Sequence, residues 1–105
     1  MTVANELSQV REKATQALQT TEADTAASPV LVAVVREFAN KATKDLELAG
    51  TAREWEAVVE LEQAGDSAKA AVDANGGVSE ATESSVQAAH LAICMLKAKL
   101  TQAVS

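Results

Sequence analysis

The chain has 105 residues, 48% of them hydrophobic and 23% charged, which is enough apolar side chain for one folded domain and too much for a disordered one. Its net charge of −6 argues against nucleic acid and anionic membranes as partners, because both are bound by neutralising phosphates with Lys and Arg. The single cysteine, Cys94, excludes an internal disulfide framework and fits a reducing cytoplasm.

Residues 2–20 predict a first helix. Val3, Leu7, Val10, Ala14 and Ala17 alternate spacings of four and three and so share one face. The opening residues, Met1 to Glu6, have no basic region and no long apolar core, so no signal peptide is expected. Thr21 to Ala27 reads as a small-residue, acidic loop. Ser28 then offers an N-cap oxygen, and Pro29 suits the first helical position, where its missing N–H costs nothing.

A second helix is expected over residues 29–49. Its seam is Leu31, Val35, Phe38, Ala42, Leu46 and Ala49, with Glu37, Lys41 and Asp45 as an i,i+4 charge ladder. The run Pro29 to Val35 is apolar on every side, which is unusual for a helix of a small protein. Its β-branched content also fits a buried strand. The Ser-Pro start, the helical continuation and the lack of a second strand candidate favour helix. Val30, Val32 and Val34 then lie off the seam as surplus apolar surface.

Gly50 can take the left-handed conformation that ends a helix, and Thr51-Ala-Arg-Glu54 reads as a capping box opening the next. So short a connection predicts a tight helical hairpin. The third helix is expected over 52–75, ending at Gly76-Gly77. Its stripe begins with Trp55, Val58 and Val59, then drifts towards Leu61, Ala68 and Val72. Gly65 sits at the drift, and since Gly inside a helix costs roughly 1 kcal/mol against Ala, the sequence leaves open whether the helix kinks or breaks there. Ser79 opens a fourth helix over 79–103, with Val86, Ala89, Ile93, Leu96, Leu100 and Ala103 on one face. No apolar run approaches the ~20 residues a membrane span needs. The fold expected is all-α, a single-domain up-down-up-down four-helix bundle over residues 1–105.

Chemistry-bearing residues are few. His90 is the only histidine, in the stretch Ala88-Ala-His90-Leu-Ala-Ile-Cys-Met95. In architecture the chain resembles histidine phosphotransfer domains, whose exposed His is followed by a Lys and then a Gly. Here the next Lys is Lys97 and no Gly follows. His90 and Cys94 are i,i+4 and face one side of the helix, a spacing that can hold two metal ligands, but no other Cys or His exists to complete a zinc set. The bland reading is a core-flanking imidazole beside a small buried thiol. The di-iron motif Glu-x-x-His is absent, because Gln87 stands three residues before His90. Glu54, Glu56, Glu60 and Glu62 crowd one stretch and read as a solvated face, with Glu62 the exception: like Lys69 it lies near the early Trp55–Val58 stripe, either because the stripe rotates away at Gly65 or because the two line a contact with a charged partner, the first being favoured. There is no nucleophile–base pair, phosphate loop or dinucleotide fingerprint. No catalytic, cofactor or metal residue is expected, and the chain is read as a non-enzyme.

The remaining signal is apolar surplus. Leu91 and Met95 lie opposite Ile93 on the fourth helix, flanked by Ala88 and Ala98. With Val30, Val32 and Val34 they form the expected interface, most simply of a two-fold homodimer, with a heterologous protein partner as the variant of that idea. The function expected is a small acidic interaction module of the cytoplasm, such as a regulator, adaptor, immunity factor or secretion chaperone. A second reading is a binder of a small apolar ligand or metal, with Ala14, Ala17, Ala42 and Ala68 leaving room between helices. A third is phosphotransfer through His90.

Overall fold

The computed structural model describes residues 2–104. Four helices run antiparallel in chain order: α1 (Val3–Ala23), α2 (Pro29–Asp45), α3 (Glu54–Ala74) and α4 (Glu80–Val104). Each packs on its chain neighbours, and α1 closes the ring against α4. The molecule measures 41 × 23 × 20 Å, so its cross-section is about two helix diameters each way, a two-by-two bundle. No strand occurs among the described residues, and no described helix is long and apolar enough to cross a membrane.

Most helix limits follow local chemistry. Thr2 caps α1 through a bond from the Asn5 N–H, and Ser28 caps α2 through one from Leu31, with Pro29 at the first position as its fixed φ favours. The first helix runs past Thr20 to Ala23, because Thr21 is buried with its hydroxyl bonded to the Ala17 carbonyl. The second ends earlier than expected, at Asp45, and tightens into a 3-10 turn over Leu46–Leu48. Gly50 has a φ of +79°, the left-handed conformation that turns the chain there.

The capping box takes a different form from the one expected. Thr51 Oγ1 accepts from the Arg53 N–H and donates to the Leu48 carbonyl, while Glu54 Oε1 reaches back to the Gly50 N–H at 2.8 Å. Residues 51–53 form a turn, so α3 starts at Glu54, two residues later than expected. The charge ladder on α2 is also revised. Lys41 bridges Glu37 and Glu60, whereas Asp45 is buried and its Oδ2 has no hydrogen-bond partner.

The core is a single cluster in which Phe38 is the largest side chain, set among Leu7, Leu31, Leu61, Ile93 and Leu96. Buried Ala14, Ala17, Ala42, Ala68 and Ala89 let the helices approach closely. The third helix is continuous through Gly65, so it does not break there. A Cβ at Gly65 would lie 3.1 Å from Ile93 Cγ2, 3.3 Å from Phe38 Cζ and 3.4 Å from His90 Cδ2. The glycine is therefore a core position where α2 and α4 press against α3. Counting it, the stripe becomes Val58, Leu61, Gly65, Ala68 and Val72, with regular spacings of three and four and no drift. Trp55 lies off this stripe and is 46% exposed, contrary to its expected place on it. On α4, Val86, Ala89, Ile93 and Leu96 are buried and Leu100 packs against them; the side chain of Ala103 lies outside the described residues.

A polar clamp closes one end of the bundle. Asp24 Oδ2 accepts from the Ser79 N–H at 2.8 Å and from Thr82 Oγ1 at 2.7 Å. Asn75 accepts from the Ser28 N–H and donates to the Ala26 carbonyl. Two loops about fifty residues apart in sequence are thus tied by side chains. These hydrogen bonds, above all the one from the Ser79 backbone, hold the Asp24 carboxyl down at about 2.

Candidate functional site

Two features of α4 stand out, on different faces. On the face towards α3, His90 Nε2 lies 2.7 Å from Asp66 Oδ1 and 3.4 Å from Cys94 Sγ. His90 and Cys94 are one turn apart on α4, and Asp66 comes from α3 immediately after Gly65. The His90 ring lies beside Gly65, with its Cδ2 3.4 Å from where a Cβ would stand. Glu62, one turn earlier, is paired with Lys97 at 3.4 Å. The expected coupling of His90 and Cys94 is present, with Asp66 as a third member that helical spacing within one segment does not reveal.

The geometry limits what this cluster can do as a nucleophile. Both contacts fall on the same ring nitrogen. A single Nε2 that donates its hydrogen to Asp66 cannot also accept the thiol's. A Cys–His relay needs the base to be oriented through its other nitrogen. Burial, aided by Asp66 and Glu62, pushes the Cys94 thiol up, which opposes formation of a reactive thiolate. A phosphoryl group at Nε2 would meet the Asp66 carboxylate.

On its outward face α4 presents Leu91, 59% exposed, and Met95, 51% exposed. They open onto a groove of about 220 Å³ between α1 and α4, whose walls include Lys13, Glu6 and Lys99. Lys99 holds Glu6 at 2.7 Å. The valines of α2 are placed unequally. Val30 is 69% exposed at the clamped end, Val32 is half-buried, and Val34 packs against the core. The wide apolar face of α2 is thus largely used by its two neighbours α1 and α3. Ala14, Ala17, Ala42 and Ala68 are fully buried and line none of the surface grooves described here.

No family model matches the chain, and no curated protein or solved structure matches it significantly.

Proposed function

We propose that this chain is a non-enzymatic interaction module that works as a two-fold homodimer joined through the outward face of α4. One observation carries the reading. The exposed residues Ser84, Ala88, Leu91, Met95, Ala98 and Gln102 repeat at spacings of four and three, on the side of α4 opposite the buried Thr82, Val86, Ala89, Ile93 and Leu96. The inner part of that seam is matched in size about residue 93, and its outermost pair, Ser84 and Gln102, is matched only in being polar. Turned end for end, it sets Leu91 against Met95, Ala88 against Ala98, and Ser84 against Gln102. In an isologous interface one residue meets a second and the second meets the first, and a seam with its large residues at the centre and small ones beside them suits that pairing. Alanines flanking the large pair let two helices approach at the spacing of antiparallel coiled-coil packing. Val30 lies outside the seam, by Asn75 and Gly76, and is not used by this pairing. The single unbridged cysteine suits the cytoplasm as the working compartment.

The seam is small. Fully burying a Leu or Met gains about 1.5–3 kcal/mol, and these side chains start half-exposed, so the four of them across the axis contribute about 4 kcal/mol before the similar or larger cost of association is set against it. Association is therefore weak and concentration-dependent.

Cross-linking tests the antiparallel register. In a Cys94→Ser background, chains with Leu91→Cys and chains with Met95→Cys are oxidised separately and mixed. The mixture is expected to form disulfide dimers faster than either alone. Faster bridging within each separate preparation would contradict the register.

A further inference from the structure

We infer that Asp66, His90 and Cys94 form a binding site for a transition-metal dication of the zinc class, held between α3 and α4 on a face separate from the dimer seam. The three donor atoms lie within 4.8 Å of one another. They offer one carboxylate oxygen, one imidazole nitrogen and one thiol sulfur that the ion itself would deprotonate, the mixed hard and soft set that zinc accepts. With Zn–S near 2.3 Å and Zn–N near 2.0–2.1 Å, a tetrahedral ion spaces sulfur and nitrogen about 3.6 Å apart, and nitrogen and oxygen about 3.4 Å. Cys94 Sγ and His90 Nε2 are already 3.4 Å apart. Asp66 Oδ1 must move outward from its 2.7 Å contact, and its side chain is half-exposed and free to do so. The remaining spacing, from Cys94 Sγ to Asp66 Oδ1, is no more than 4.8 Å, and rotation of the exposed Asp66 side chain is the movement that would close it.

The convergence has structural causes. Helical pitch places His90 and Cys94 on one face. At Gly65 the core side chains Ile93 of α4 and Phe38 of α2 pack closely on α3, and the imidazole meets Asp66 beside that contact. Glu62 lies alongside, paired with Lys97 at 3.4 Å. On binding, the ion takes the thiol's hydrogen position and the imidazole Nε2 lone pair. One proton leaves from sulfur, and the ring hydrogen moves to Nδ1. Three protein donors leave the fourth position to water, as in open zinc sites.

Cobalt(II) added to the reduced chain is the test, followed by absorbance and by displacement with zinc. The expected result is one ion per chain and a near-ultraviolet thiolate-to-cobalt band. Cys94→Ser abolishes that band. Asp66→Asn weakens binding about tenfold or more, the scale of losing a group that fixes a metal site. Asp73→Asn, another exposed carboxylate of α3, leaves it unchanged, and circular dichroism checks that all variants keep their helices. Absence of the band at saturating cobalt, or equal affinity in Asp66→Asn and Asp73→Asn, would overturn the site.

Discussion

Replacing Gly65 with alanine sets two known effects against each other. Helix propensity favours alanine by about 1 kcal/mol, and at an exposed position that gain would be seen in full. At Gly65 the added methyl would stand 3.1 Å from Ile93 Cγ2 and 3.3 Å from Phe38 Cζ. Carbon atoms rest comfortably at about 3.5–4.0 Å, so α2 and α4 must each give way by several tenths of an ångström. Over-packing of this kind costs typically 1–3 kcal/mol. The contacting atoms are side-chain ends, which places the cost in the lower half of that range. The net expectation is a loss of about 0–1 kcal/mol, and thus a Tm unchanged or lowered by up to about 4–8 °C. The assay is thermal and urea unfolding followed by circular dichroism, with Gly76→Ala beside it. Gly76 has open space around it, so its substitution is expected to be neutral or stabilising by up to about 1 kcal/mol. A Gly65→Ala protein more stable than the parent by the full propensity gain would refute the close approach of α3 to its neighbours.

The other predictions concern charge. Asp45 is buried with an unpartnered oxygen, and burial raises its pKa, with Glu60 adding to the effect. Its native-state penalty is absent below the ordinary carboxylate value and grows as pH rises through the folded one. Asp45→Asn should therefore stabilise the fold at pH 7 by on the order of 1 kcal/mol and lose that advantage near pH 3, as read from urea midpoints. Asp24 behaves oppositely. Its pKa is held at about 2, so its contribution is full above the ordinary value of 3.8 and disappears as pH falls through 2. Asp24→Asn should flatten the stability profile between those values; an unaltered acid limb would mean the clamp adds nothing. Leu91→Glu with Met95→Glu should leave the monomer fold intact, since both side chains point outward, while abolishing self-association in sedimentation.

The parts of the fold legible in the sequence are those fixed by local chemistry. Ser28-Pro29, Gly50 and Ser79 punctuate the helices because caps and left-handed turns depend on residues a few positions apart. The faces of α1 and α4 are legible because their seams are made of apolar residues. On α3 the seam passes through Gly65, which has no side chain to register as hydrophobic, so a straight helix reads as a drifting one. Trp55 misleads for the converse reason: a large apolar residue in the first turn sits half in solvent. Asp45 looks like a surface rung by spacing, yet the chain tightens after it and buries it. The pairing of Asp66 with His90, and of Asp24 with Ser79 and Thr82, joins residues on different helices. Their meeting depends on the axial register of α3 against α4 and of one loop against another, which periodicity along one segment does not encode.

The most direct test of the α4 seam is native molar mass by light scattering, over a concentration series carried to roughly the millimolar range because the seam is weak. The expected mass rises with concentration from the chain's 10.9 kDa towards twice that value, and stays at the monomer value in the Leu91→Glu, Met95→Glu protein. A parent chain that remains at the monomer mass throughout, or a variant that associates as the parent does, would contradict dimerisation through this face.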